Sequence, residues 1–165
     1  MTDHRNNPLR KMVLKLIDKP VWLQQFLLTR LFRHTVKLSG TARQDIVQTD
    51  LKTVTFRQRN LKRVQNHIGG VHAAGTALLG ESATGFVVGI NLPGDKLPLL
   101  KTMHIDYLKR ATGTLEAKAS LTDEQIQMML TEDKGEVEVT VIIKDEAGIE
   151  PVAASYVWAW IPKKR

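Results

Sequence analysis

The 165-residue chain has the length of one ordinary domain, and its 42% apolar and 25% charged residues fit a globular protein, not a disordered or fibrous one. It contains no cysteine, which excludes disulfides, thiolate metal sites and a cysteine nucleophile. The formal charge of +7 sits at the ends: residues 1–35 carry +5 and Lys163-Lys164-Arg165 carry +3, while residues 36–162 sum to −1. The body of the domain therefore lacks the basic face of a duplex binder, and no nucleic-acid partner is expected.

Residues 9–33 repeat apolar positions at helical intervals, from Met12, Val13, Leu16 and Ile17 to Val21, Trp22, Phe26, Leu27 and Phe32. Pro20 divides them, because proline is tolerated only in a helix's first turn, so the prediction is two helices at 9–18 and 20–33. They read as a cap over the core; with Lys11, Lys15, Lys19, Arg30 and Arg33 they also suit weak contact with a membrane surface. No apolar run approaches the roughly 20 residues of a membrane span. Lys11, Lys15, Asp18 and Lys19 also interrupt any leader-like apolar stretch, so a cytoplasmic location is expected.

Beyond residue 35 the pattern changes to strands, expected at 36–42, 46–58, 86–92, 100–109, 114–121, 136–144 and 152–161. Residues 136–144 alternate cleanly, with Val137, Val139, Val141 and Ile143 on one face. Between Thr122 and Glu132 a short helix is expected, with Thr122 as its N-cap and acids in its first turn. Tyr156, Trp158 and Trp160 share one face of the last strand and read as packing residues, and Lys163-Lys164-Arg165 as a frayed tail. From Gly69 to Gly85 the chain has helical length but is built of Gly, Ala, Thr, Ser and Leu. Small residues on all sides imply a helix approached closely from every direction. The expected class is α+β: one long antiparallel sheet wrapped around one buried helix. Residues 1–34 form a helical extension and 35–165 the main domain.

Glu81 is the one Asp, Glu, Lys or Arg between Arg63 and Asp95. A carboxylate in an enclosed helix carries a large desolvation cost unless it is paired, hydrogen-bonded or put to chemical use. It is therefore either a Glu satisfied by neighbouring groups or exposed at the helix end, or a candidate general base or nucleophile. His72 lies at the start of the same helix, behind Gly69-Gly70. The first amides of a helix are unpaired donors at its positive end and suit a carbonyl oxygen or oxyanion. His72 and Glu81 are nine residues apart, which is half a turn out of alignment and about 13.5 Å along the axis. If both serve one site, two copies of the chain must supply it, giving a homodimer with two symmetric sites. Arg57, Arg59, Lys62 and Arg63 precede this segment, where they read equally as phosphate-binding or as a solvated loop. His104 and Asp106 share a strand face, but two residues do not make a metal site, and none is expected.

The pattern Asn66-x5-His72-Ala73-Ala74 followed by Glu81 resembles the motif of phenylacetate-pathway-type hotdog thioesterases. That motif has Asn, then His-Gly-Gly six residues later, then an acid nine residues further on. Ile105 to Gly113, with Tyr107-Leu108-Lys109-Arg110-Ala111, is similar to the family's strand and turn, and Val137 to Trp160 to its closing strands. The resemblance spans about 35–162 and implies a hotdog fold and hydrolysis of an acyl-CoA thioester, with coenzyme A entering only as part of the substrate. It implies Glu81 as the acid that activates water or attacks the carbonyl, Asn66 as an orienting group and His72 as a positioning residue. The amides of Ala73 and Ala74 become oxyanion donors, reached past Gly69 and Gly70, with the acid and the Asn/His end on opposite subunits of a dimer, or of a dimer of dimers. Arg57, Arg59, Lys101, Lys109 and Arg110 are candidate holders of the coenzyme A phosphates, although Lys101, Lys109 and Arg110 read equally as exposed basic residues without a role. Two departures stand out: Ile68 replaces a second histidine common in relatives, and Ala73-Ala74 replace the glycines. Alanine retains the backbone amide, so the oxyanion role survives. A hotdog dehydratase fits less well, since its Phe-Pro-Gly segment is absent. A non-catalytic acyl-CoA-binding hotdog protein is the alternative from another class.

Overall fold

The computed structural model describes residues 6–163; Arg5, Lys164 and Arg165 of the charged ends lie outside them. Three helices come first: α1 (Pro8–Leu16), α2 (Val21–Thr35) and α3 (Lys37–Ala42). Strands β1 (Asp45–Thr49) and β2 (Thr53–Gln58) follow, then the long helix α4 (Ala73–Asn91) and strand β3 (Lys96–Tyr107). The chain ends with β4 (Leu115–Ser120), α5 (Asp123–Thr131), β5 (Gly135–Asp145) and β6 (Val152–Pro162). The six strands form one antiparallel sheet in the order β1-β2-β4-β5-β6-β3.

The sheet curls because β5 divides its partners. Residues 140–145 pair with β4, whereas residues 135–139 pair with β6. The concave face closes around α4, where Leu79, Ala83, Val87, Val88 and Ile90 have no exposed surface. This is the expected sheet-around-helix architecture, the hotdog. Among the described residues α4 is also the one helix with the length and apolarity of a membrane span. Here the sequence expectation that no stretch approached that length needs correction; the apolarity reflects burial inside the sheet.

Close packing explains why α4 is built of small residues. A Cβ at Gly80 would collide with the Tyr156 phenol, and one at Gly85 would come within 2.7 Å of the Trp158 ring. The aromatic side chains of β6 are anchored there by polar tips. Tyr156 Oη donates to Ala77 O (2.9 Å), and Trp158 Nε1 donates to Thr84 Oγ1 (2.9 Å). The N-terminal helices share the same core through Val13 and Leu28. Phe32 of α2 packs edge-on against Phe56 of β2 and Phe86 of α4, at ring separations of 4.9 and 5.9 Å.

Four expected elements differ. Residues 86–92 were expected as a strand but continue α4 to Asn91, so the central helix runs 73–91 and not 69–85; burial against the sheet overrides the β-preference of Phe86-Val87-Val88. Residues 37–42, also expected as a strand, form α3 directly after α2 and end in left-handed Arg43. The single strand expected at 46–58 is a hairpin. Asp50 Oδ1 accepts from the amides of Lys52 and Thr53, and Leu51 takes φ 76°, which turns the chain. At the C-terminus Lys163 is not frayed: its amide donates to Asp95 O and its ammonium to Gly94 O.

Candidate active site

Between β2 and α4 the chain makes a tight loop organised by Asn66. Its Oδ1 accepts from the amides of Ile68 and Gly70, both at 3.1 Å, and its own amide donates to Gly70 O. Gly69 supports the loop with φ +80°, a conformation that costs a side chain dearly. Asn60 Nδ2 donates to Gly69 O, and Arg110 Nη2 donates to Ile68 O, so the loop is tied on both flanks. Asn66 thus spends its carbonyl oxygen on shaping the loop.

The loop delivers His72 as the N-cap of α4. His72 Nδ1 accepts from the Ala74 amide at 3.0 Å, while the His72 amide donates to Val64 O. The Ala74 amide, a candidate oxyanion donor from sequence, is therefore committed to the His72 ring. The amides of Ala73 and Gly75 meet no protein acceptor among the described residues, and Ala73 and Ala74 are exposed residues. Tyr107, at the end of β3, closes over this point, its hydroxyl donating to Ala73 O at 2.7 Å. Sequence reasoning assigned Tyr107 no role; its one signal was its place in the Tyr-Leu-x-x-Ala stretch.

Glu81 lies two turns further along α4. It is half-buried and lines an apolar cavity of about 310 Å³ between α4, the N-terminal helices and the sheet. Leu9, Phe32, Val36, Phe86 and Trp158 contribute to the walls, and Glu81 is the one ionisable side chain among the lining residues. Desolvation holds the Glu81 carboxyl above its ordinary value of 4.5. The same effect raises the Tyr107 hydroxyl.

The basic candidates separate into two places. Arg110 reaches the Asn66 loop, with Lys109 exposed beside it in sequence. Arg57 instead pairs with Glu116 (2.7 Å) and Arg59 with Asp45 (3.2 Å), and both line a groove between α2 and β1. Lys101 pairs with Glu136 on the outer sheet face. His104 and Asp106 form an exposed pair at 3.3 Å, and no cluster of three candidate metal ligands occurs among the described residues.

Asn66, Gly69, Gly70, His72, Ala73 and Ala74 thus gather at the start of α4, and Glu81 stands apart on the same straight helix. In β3 the two regions meet opposite ends of one strand: Tyr107 contacts Ala73, whereas Pro98 lines the Glu81 cavity. This strand is one edge of the sheet, β1 being the other, and Leu97, Leu99, Met103 and Tyr107 are 41–51% exposed along it. An edge of twelve residues with these apolar side chains exposed can act as a template for another strand.

Residues 25–161 match the model of a family described as a domain of unknown function, DUF4442. No curated protein matches the chain. Among solved structures it is similar to a protein of unknown function and probable thioesterase from Pseudomonas aeruginosa, at 20% identity and a TM-score of 0.76, covering 83% of this chain and 95% of that one. A thioesterase from Haemophilus influenzae is 12% identical with a TM-score of 0.66, covering 80% of this chain and 88% of that one. A thioesterase from Staphylococcus aureus is 18% identical with a TM-score of 0.64, covering 77% of this chain and 100% of that one. The last has been solved with a glutamine replaced by alanine and, separately, with a glutamate fifteen positions later replaced by alanine. At these identities the likeness establishes the fold.

Proposed function

The chain belongs to the DUF4442 family, and from that starting point we propose that it is an acyl-CoA thioesterase of the phenylacetate-pathway type whose site is shared between two copies. The observation that carries the reading is the isolation of Glu81: a lone, desolvated carboxyl in the wall of an apolar cavity. Such a group is costly to keep as structure alone, and it has the raised affinity for protons that suits a general base. The fifteen-residue interval between the two positions altered in the Staphylococcus aureus thioesterase also separates Asn66 from Glu81.

In this mechanism Glu81 takes a proton from water as the water oxygen attacks the thioester carbonyl carbon. The oxyanion that forms is held by the free amides at Ala73 and Gly75, supported by the positive end of α4. The C–S bond then breaks, and the proton passes from Glu81 to the leaving coenzyme A thiolate. The products are a carboxylic acid and free coenzyme A. His72 positions the helix start through Ala74, and Tyr107 does so through Ala73 O. Lys109 and Arg110 lie where phosphates of the coenzyme A arm would approach the Asn66 loop.

A second copy completes the site by pairing β3 with β3. Antiparallel pairing of two such edges sets the Tyr107 end of one strand beside the Pro98 end of the other. That brings Ala73 of the partner subunit toward Glu81, which Ala73 of the same chain cannot approach along the helix. The test is release of free thiol from short, long and aromatic acyl-CoAs by wild type and Glu81→Ala. Turnover that falls at least ~100-fold in the variant supports the reading. No turnover of any thioester, with binding retained, moves the protein to the acyl-CoA-binding class. A monomeric mass at micromolar concentration contradicts the shared site.

A further inference from the structure

The cavity beside Glu81 has a direction. Leu78, Glu81, Ser82, Gly85 and Gly89 all line it and share one face of α4. From Glu81 to Gly89 the slot extends about 12 Å along the helix axis. Its carboxylate lies toward one end, and the rest is hydrocarbon, glycine and the hydroxyls of Thr35 and Ser82, which are bonded to Leu31 O and Ser39 Oγ. At Gly89 an added Cβ would stand 3.4 Å from Leu9 Cδ2, so the glycine leaves room under α1.

The outer wall of the slot is built and fixed. Buried Asn7 donates from Nδ2 to Gly89 O (2.7 Å) and Leu92 O (2.6 Å), while its Oδ1 accepts from the Arg10 amide. Arg10 Nη1 adds bonds to Ile90 O and Asn91 Oδ1. These contacts clamp α1 onto the C-terminal end of α4. On α2, Leu31, Phe32 and Thr35 face the slot, as does Val36 at its C-cap, with Phe32 packed against Phe56 and Phe86.

We infer that this slot is the acyl-chain site, that it selects straight aliphatic chains of intermediate length, and that the N-terminal helices set the limit. The inference rests on the thioesterase reading for the position of the thioester beside Glu81. The occupant is identified by the lining: no charged group other than Glu81 meets the chain, so only hydrocarbon is favoured along its length. A volume of about 310 Å³ is about twice that of a cavity that takes up benzene, which fits a chain of roughly eight to twelve carbons. A short aromatic acyl group would leave the Gly89 end empty.

The experiment measures kcat/KM by thiol release for butanoyl-, octanoyl-, dodecanoyl-, hexadecanoyl- and phenylacetyl-CoA. Wild type, Thr35→Phe and Leu31→Trp are compared, the two variants filling the slot from α2. Wild type should prefer the octanoyl and dodecanoyl thioesters. In both variants the dodecanoyl-to-butanoyl ratio should fall at least ten-fold, a ratio that loss of folded protein does not change. A flat profile, a preference for phenylacetyl-CoA, or a ratio unmoved by both substitutions overturns the inference; the last is the outcome if side chains of a second copy fill the slot. If no thioester is cleaved, displacement of a fluorescent dansylaminoundecanoate by dodecanoyl-CoA separates the two readings. Displacement weakened ten-fold by Thr35→Phe retains the chain site without the reaction, and absence of displacement removes the chain site as well.

Discussion

Tyr156 reaches into the notch left by Gly80 and donates its hydroxyl to Ala77 O at 2.9 Å, joining the middle of β6 to the middle of α4. The tyrosine has no exposed surface, and burial pushes its hydroxyl well above its ordinary range, so it stays a neutral donor. A methyl at Gly80 has nowhere to go except against the rigid phenol. Gly80→Ala should lower the urea midpoint by an amount equal to about 1–3 kcal/mol, as overpacking of a close contact does. Tyr156→Phe should cost about 1 kcal/mol for the lost bond. Combined with Gly80→Ala, Tyr156→Phe should restore little, because the ring carbons also clash with the new methyl.

The buried Asp145 gives a second test, this time of pH dependence. Its Oδ1 accepts from the amides of Ala147 and Ile149 and its Oδ2 from Thr112, binding the β5–β6 turn to the loop before β4. The Thr112 amide, followed by those of Ile149 and Ala147, holds the carboxyl below its ordinary 3.8. A depressed carboxyl stabilises the fold above its unfolded pKa, and that contribution is lost as pH falls through the lower folded value. Wild type should therefore lose stability between about pH 4 and the acid end of the scale, and Asp145→Asn should flatten this part of the curve. Matching acid slopes in denaturant titrations of the two proteins would count against the assignment.

The alternating β5 and the capped α5 were both legible because each obeys a local rule. Thr122 and Gln125 form the capping box their spacing suggests, and Val137, Val139 and Ile143 are buried as the period of two requires. The C-terminal half of α4 was not legible. Phe86-Val87-Val88 reads as strand in isolation, and only the enclosing sheet makes it helix. The site divides in the same way. The isolation of Glu81 is visible in the sequence as a lone charge. The contact of Tyr107 with Ala73 and the slot that Leu9, Leu31 and Phe32 form with α4 depend on distant segments meeting. Spacing along the chain carries no trace of them.

Glu81 should also set a pH limb. Its carboxyl is raised by desolvation, so proton loss is disfavoured in the folded state. The stability linked to this group is fully present below the unfolded pKa and is lost as pH rises through the higher folded value. Glu81→Gln should therefore gain stability over wild type as pH climbs through that window. As a base Glu81 acts only when ionised, so log kcat/KM should rise with slope one on an acid limb centred above 4.5. A limb centred at or below the ordinary carboxylate value would show that another group titrates.

The shared site makes a prediction that no single-chain site allows. Ala73 is the first residue of α4, preceded by His72 at φ −61° and ψ 146°, a conformation that accepts a following proline. Ala73→Pro should therefore delete one proposed oxyanion donor while keeping the helix, with activity down about 100- to 1000-fold. Glu81→Ala alone should be similarly inactive. Mixed dimers of the two variants contain one site with both lesions and one with neither. Co-expression should accordingly recover about a quarter of wild-type activity, since half of randomly assorted dimers are mixed and each carries one intact site. Purified mixed dimers, separated by two different affinity tags, should show about half of wild-type activity. Recovery no greater than the average of the two parents would place Ala73 and Glu81 in separate functions. The β3 edge adds its own control: Met103→Asp, in the exposed centre of that strand, should yield monomers that stay folded and fail to complement either variant.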